Sequence, residues 1–423
     1  MSQTTFRRAI APLLSIAILM LGNGYFTTFV SVRLFIDGFD ALIVGIVQSA
    51  YYAGFLLGAL KIESLMRRIR HIRAYAFFTS IATAVVLCQG LLVHPIIWIF
   101  ERFTMGVCIA SLYVVIESWL LIIAPSSSRG KLLGFYMLSL YGAQALSQFF
   151  MDFLDQASLS PFVIAALFSS LSVLPVTFTY TQIPDQGEVE RSSFLSIVRR
   201  SPFGTGGCII SGMILSAIYS FLPNFAEKSQ MSVALIMSTT IAGGFLLQWP
   251  LGHLSDIFDR RKILVLVSVL IIGPCIGVLL MGATLIPMLG LVFFLGGFTF
   301  TLYPLSITHV TDRHLSEDLT SVTAVLLFAY STGSVIGPLI APFFIKFLQP
   351  NGLFIYIGFM SAILTLIGLL STIFSRPVPL TDQNEFIPLT GSPLSYELDP
   401  RTNTETDSPK DSNGNNGSNG SAD

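Results

Sequence analysis

The sequence predicts an all-α integral membrane protein of twelve transmembrane helices, laid out as two half-length copies of six spans. Three observations carry this. The 423-residue chain is 53% hydrophobic and 11% charged, with a mean hydropathy of +0.74, whereas soluble domains hold about a quarter charged residues. Its apolar runs repeatedly reach the ~20 residues needed to cross a hydrocarbon core. The second half also repeats landmarks of the first. Arg102-xxx-Gly106 with Tyr113 lines up with Val292-xxx-Gly296 with Tyr303 at one constant offset, and a basic stretch follows the second span of each copy.

The first span, 10–34, follows Arg7 and Arg8. That start resembles a secretory signal, but the apolar run outlasts a signal's core and meets no small-residue cleavage site, so it is read as a retained span. Span two, 41–62, runs into Lys61, Arg67, Arg68, Arg70 and Arg73. Spans three and four, 73–93 and 95–124, are separated at His94-Pro95, and spans five and six take 132–153 and 161–183. Residues 184–202 form a polar linker in which Phe194, Leu195, Ile197 and Val198 outline a short surface helix. The second copy occupies 203–224, 232–250, 263–282, 286–309, 320–347 and 352–374, and its basic stretch is Gly252 to Lys262, read as a loop. From Arg376 the composition turns to Pro, Thr, Ser, Asn, Asp and Gly, with three basic against eight acidic residues. Such a segment has too little apolar surface to offset its ordering entropy. The expected organisation is therefore a first six-span unit to 183, the linker 184–202, a second unit 203–375 and a disordered tail 376–423.

Lys and Arg set the orientation of a membrane chain. Of the 23 present, Arg33, Lys228 and Lys346 fall on one side and Arg102 lies within a span, while all the others share the opposite side. That side is expected to be the cytoplasm, with both termini in it, for a multi-pass protein of the inner membrane. The four cysteines, Cys88, Cys108, Cys208 and Cys275, sit in spans at no metal-ligand spacing, and the five histidines are scattered at loops and span ends. No nucleophile, zinc or nucleotide-binding constellation is present, so neither an enzyme nor a cofactor or metal is expected, and nothing signals nucleic acid.

Several stretches go further: Val115-Ile116-Glu117-Ser118-Trp119-Leu120, Gly207-Cys208-Ile209-Ile210-Ser211-Gly212, Gln248-Trp249-Pro250-Leu251-Gly252, Phe300-Thr301-Leu302-Tyr303-Pro304 and Gly333-Ser334-Val335-Ile336-Gly337-Pro338. With them the chain resembles a transporter of the major facilitator superfamily, and its YcaD-like branch in particular, over about residues 5–375. The resemblance implies two pseudo-symmetric six-helix bundles around a central cavity. It implies alternating access, with spans one, four, seven and ten lining the cavity and three, six, nine and twelve supporting it. That family's antiporter string, Gly-xxx-Gly-Pro on span five, is absent there and has a counterpart on span eleven at Gly333-xxx-Gly337-Pro338.

At 100° per residue, Tyr113, Gly106 and Glu117 lie about 20°, 40° and 60° round from Arg102, one stripe along span four. An arginine at mid-bilayer costs at least ~2.5–3.5 kcal/mol and needs a partner or a wet cavity. Arg102 matches the family's fourth-span arginine, implicated there in substrate or proton coupling; a structural pairing with Glu101 or Asn23 is the alternative. Glu117 is either a protonation site or a partner of the basic loops. Asn23, Gln48, Tyr52, Gln144, Tyr219, Tyr303 and Tyr330 fall on stripes that suit either cavity lining or interhelical hydrogen bonding. In the Gly252 to Lys262 stretch, Gly252 permits close helix approach, Asp256 suits backbone donors at a neighbouring helix N-terminus, and Arg260 and Arg261 hold the anionic leaflet. By resemblance this is a gate latch, and a topogenic basic loop is the alternative. The expected function is secondary active transport of a small organic solute, coupled to protons, with a monomer sufficient. A uniporter, or a non-transporting sensor or scaffold on the same fold, is the rival.

Overall fold

The computed structural model describes residues 3–66, 71–123, 125, 128–177, 201–281, 284–313, 319–348, 351–374, 383 and 386. The expected linker helix at 194–198, Arg67, Arg68 and Arg70, and the tail apart from Gln383 and Phe386 lie outside these residues.

Lipid offers no hydrogen bonds to a backbone, so a spanning segment satisfies its own N–H and C=O groups as a helix. The described residues accordingly form twelve long helices and no strand. In the first half these are α1 Gln3–Ile36, α2 Ala41–Met66, α3 His71–Leu91, α4 Pro95–Ile123, α5 Arg129–Ser147 and α6 Ser160–Leu171. Short helical turns continue α5 at Phe150–Phe153 and α6 at Leu174–Thr177. The second half holds α7 Pro202–Lys228, α8 Val233–Ile257, α9 Arg260–Met281, α10 Leu285–Thr311, α11 Leu319–Phe347 and α12 Gly352–Phe374. Among the described residues, eleven of these helices are both long and apolar enough to cross a membrane. The exception is α5, whose 19 residues include Arg129, Lys131 and Gln144.

Local chemistry sets the helix ends. Gly38 takes a positive φ of 85° just past α1, and the N–H groups of Gly38 and Phe39 close on the Phe35 and Leu34 carbonyls at 3.0 Å, a left-handed glycine stop. Two residues on, the Asp40 carboxylate accepts the Ile43 N–H at 2.9 Å and starts α2. The basic stretch of the second half differs from the expected loop. α8 carries Gly252, Ser255 and Asp256 to its end at Ile257, and α9 opens on Arg260, so the turn is Phe258-Asp259 alone.

Each half packs by the same scheme. α2 lies on α4, α1 on α5 and α6, and α3 on α4 and α6; in the second half α8 lies on α10, α7 on α11 and α12, and α9 on α10 and α12. The α2–α4 crossing depends on glycine. A Cβ on Gly106 would collide with the Tyr51 carbonyl oxygen, and one on Gly54 with that of Phe103. The second half repeats the arrangement, with Gly296 against Thr240 and Gly243 against Phe293. The halves meet along α2 with α11, α5 with α8 and α1 with α7.

Leucine at Gly106 or Gly296 should force these helix pairs apart, an overpacking cost of ~1–3 kcal/mol. The expected readout is a lower melting temperature of the purified protein. Gly134→Leu, at a site with nothing within 4 Å of the added Cβ, should leave it unchanged.

Candidate functional site

Between the halves lies a cavity of ≈ 130 Å³. On the first-half side its wall is made by Asn23 and Thr27 of α1, Tyr51, Tyr52 and Phe55 of α2, Tyr113 of α4, and Leu140, Tyr141 and Gln144 of α5. On the other side stand Leu215, Ser216 and Tyr219 of α7, Phe300 of α10, and Tyr330, Ser331 and Ser334 of α11. No lining residue carries a charge. The rings hold one another: Tyr51–Tyr52 at 5.4 Å and Phe55–Tyr113 at 5.9 Å on the first-half wall, Tyr219–Phe300 at 6.2 Å on the second, and Tyr141–Phe300 at 5.6 Å across between them. Aromatic pairs at such separations pin ring orientation. The Gln144 amide donates to the Tyr219 hydroxyl at 3.1 Å and bridges the halves at the wall itself.

Toward the end of the bundle away from Gln3 and Phe374, the halves are stitched together. Ser31 Oγ donates to the Ser220 carbonyl, Asn224 Nδ2 donates to Ser31 Oγ at 2.7 Å, and Ser49 Oγ to the Val335 carbonyl at 2.7 Å. At the rim Ser232, which caps α8, donates to exposed Asp152 at 2.9 Å. Gly45 on α2 sits against the Pro338 carbonyl of α11 with no room for a Cβ. Arg33, one of the few cations at this end, bonds Asp37 at 2.9 Å and the Ala157 carbonyl at 2.9 Å, tying α1 to the connection before α6.

Arg102 is fully buried and is not on the cavity wall. Its Nη2 donates to Gln48 Oε1 at 2.9 Å, and Gln48 in turn donates to the Thr27 carbonyl at 3.2 Å. Its guanidinium lies 4.4 Å from the Tyr51 ring centre, the face a cation prefers. The partner is thus Gln48 on α2 and a ring, rather than Glu101 or Asn23. Arg102 backs two wall residues, Thr27 and Tyr51. Glu117, also fully buried, accepts the Tyr136 hydroxyl of α5 at 2.6 Å. The stripe read along α4 therefore faces α2 at its start, the cavity at Tyr113 and α5 at Glu117.

At the basic end, Arg260 pairs with buried Asp312 and, across the Phe258-Asp259 turn, with Asp256 at 2.8 Å. Arg261 reaches Asp259 at 3.7 Å and the Ser371 carbonyl of α12 at 3.2 Å. Burial, then the neighbouring Arg261 cation, pulls the Arg313 guanidinium below its ordinary pKa. The expected backbone partner of Asp256 is present, but it is the N–H of Phe386, at 2.8 Å.

The sequence profile of the Major Facilitator Superfamily matches residues 13–242 and again 228–398. The chain belongs to that superfamily. The uncharacterized MFS-type transporter YcaD of Escherichia coli O45:K1 (strain S88 / ExPEC) is 30% identical over 367 residues, covering 85% of this chain and 95% of that one. Among solved structures, a mutant of the nucleoside transporter NupG superposes with a TM-score of 0.71 at 15% identity, covering 85% of this chain and 98% of that chain. A bacterial homologue of the lysosomal transporter Spinster does so with 0.71 at 14% identity, covering 89% and 97%. Members and relatives of this superfamily are transporters, not enzymes.

Set against the superfamily expectation, α1, α4, α7 and α10 do reach the cavity and α3, α6, α9 and α12 do not, but α2, α5 and α11 supply most of its tyrosines. Asn23, Tyr52, Tyr113, Gln144, Tyr219 and Tyr330 are brought together on the wall. Tyr303 stands behind it, 4.4 Å from the Tyr330 ring, and Gln48 lies behind it with Arg102. Gly252, Asp256, Arg260 and Arg261 gather at the basic end, remote from the cavity. Tyr51, Tyr141 and Ser331 were not singled out in the sequence, and Phe300 and Ser334 stood there only within stretches that carry the resemblance. Tyr141, one turn before Gln144 on the same stripe, is the one whose spacing could have found it.

Asp312→Ala removes the buried partner of the Arg260 cation and leaves it the more exposed Asp256, so the cost should fall below the ~3–5 kcal/mol of leaving a buried charge unpaired. The variant should lower the melting temperature, and the double variant Arg260→Met/Asp312→Ala should recover part of the loss.

Proposed function

We propose that this superfamily member is a secondary active transporter of an uncharged small organic solute bearing a planar or aromatic face and several hydroxyl or amide groups. It works by alternating access in the inner membrane, with the basic end in the cytoplasm. One observation carries the reading: the cavity between the halves is ringed by Tyr51, Tyr52, Tyr113, Tyr141, Tyr219 and Tyr330, with amides and hydroxyls between them and no charged side chain. A charged solute entering such a wall would lose hydration without gaining a counter-ion. A flat neutral solute would gain ring stacking and hydrogen bonds together. A nucleoside fits that description, and NupG, whose fold this chain shares, is a nucleoside transporter.

The stitched far end supports an assignment of this state as open to the cytoplasm and sealed outside. Arg102 then acts as a positioning residue, fixing Tyr51 directly and Thr27 through Gln48. Proton coupling is assigned to Glu117. It is a carboxyl buried among the spans, one helical turn from the wall residue Tyr113, and its bond to Tyr136 gives a protonation change a route into α5.

In liposomes, counterflow of labelled neutral solutes such as nucleosides, aromatic amides and sugars should be observed, with organic acids and polyamines inert. Preference for a charged panel member would overturn the substrate class. Ser334→Trp should fill the cavity and abolish counterflow with the melting temperature retained. Arg102→Ala should abolish transport without loss of membrane insertion. Glu117→Gln should spare counterflow while removing the stimulation by a pH gradient, and unchanged stimulation would dismiss Glu117 as the proton carrier.

A further inference from the structure

Much of the polar surface on the cavity wall is bonded within the protein. Thr27 Oγ1 donates to the Asn23 carbonyl at 2.9 Å, Ser216 to the Met213 carbonyl at 3.2 Å and Ser334 to the Tyr330 carbonyl at 3.0 Å. Such back-bonding along its own helix is an ordinary resting place for a helical hydroxyl. Gln144 is engaged by Tyr219, and the Tyr113 hydroxyl by the Met20 sulfur at 3.2 Å. Two wall atoms depart from this pattern. Asn23 Oδ1 on α1 and Ser331 Oγ on α11 have no hydrogen-bond partner among the described residues, although Asn23 is only 8% and Ser331 3% exposed. A hidden polar atom left unpaired loses its hydration and gains nothing in return.

The orientation of Asn23 has a cause. Its side chain hydrogen-bonds the Tyr51 hydroxyl, and with Oδ1 unpartnered the amide NH2 is the end engaged. Tyr51 in turn lies under the Arg102 guanidinium, 4.4 Å from the ring centre. The buried cation thus holds a ring, the ring holds an amide, and the amide keeps its acceptor end unused. Asn23 Oδ1 can only accept, whereas the Ser331 hydroxyl can donate. A solute that satisfies both needs an N–H donor and a carbonyl acceptor on one uncharged frame, the chemistry of a cyclic amide or imide.

We propose that Asn23 Oδ1 and Ser331 Oγ read the transported solute, accepting its N–H and donating to its carbonyl, and so select uncharged cyclic amides and imides. This deepens the neutral-solute reading above and rests on it. The two groups belong to opposite halves, so a solute that engages both is gripped by both bundles. A buried acceptor rejects the analogue whose N–H is methylated, because the acceptor then stays unpaired.

The test titrates the full chain, purified in detergent, by calorimetry with two matched neutral pairs: uridine against 3-methyluridine, and theobromine against caffeine. Within each pair one N–H is replaced by N–CH3, and the N–H member should bind about tenfold tighter or better. Asn23→Leu keeps the bulk and loses the acceptor, so it should bring the two members to equal affinity. A purely steric penalty on the methyl group would survive that change. Ser331→Ala should weaken both members of a pair alike, by about tenfold, since both keep their carbonyls. Equal affinity within the pairs in the unsubstituted protein, or discrimination that persists in Asn23→Leu, would overturn the assignment and leave the neutral-solute reading standing. Binding of neither pair would overturn the amide and imide class, and the counterflow panel then decides the wider reading separately.

Discussion

Helices in lipid gain nothing by hiding apolar surface from one another, so this structure depends on backbone meeting backbone at small residues. Gly54 and Gly106 press α2 and α4 together, and Gly243 and Gly296 do the same for α8 and α10. The consequence reaches the cavity. Gly106 lies under the Tyr51 carbonyl, and the Tyr51 ring, forming the wall, is the face against which Arg102 rests. The glycine contact thus sets the distance between a buried cation and its aromatic partner. It turns helix packing into the placement of a functional surface.

Arg102 is a charge held directly behind the cavity wall rather than on it. Its Nε and Nη1 find no hydrogen-bond partner among the described residues, so the burial is only partly compensated, by Gln48 and by the Tyr51 ring. A cation–π contact of this desolvated kind contributes ~2 kcal/mol. The guanidinium, Gln48 and the Thr27 carbonyl form one chain across α4, α2 and α1, so a shift in any of these helices is felt by the other two.

The helical fold was legible because hydropathy and the repeat at constant offset act over whole segments. The polar positions were legible only as stripes. Tyr52, Gln144 and Tyr219 could be placed on a helix face, but which face turns inward depends on crossings fixed by glycines far along the chain. For that reason Gln48 was left between cavity lining and interhelical bonding, and Arg102 between coupling and a structural pair, since a stripe cannot separate the wall from the layer behind it. The span of α8 was underestimated because Asp256 and Arg260 look like loop residues. In fact the helix runs on through Asp256, whose carboxylate meets Arg260 across the Phe258-Asp259 turn. The seat of Phe386 had no sequence signal, because a single aromatic in an acidic tail has no periodicity.

The uncharged wall has a further electrical meaning. A neutral solute crossing between neutral tyrosines moves no fixed charge through the membrane field, so that step does no work against the membrane voltage. Any voltage dependence of a full cycle therefore belongs to a carried proton or to displacement of the groups buried among the spans, Arg102 and Glu117. The current through this protein would count those charges alone.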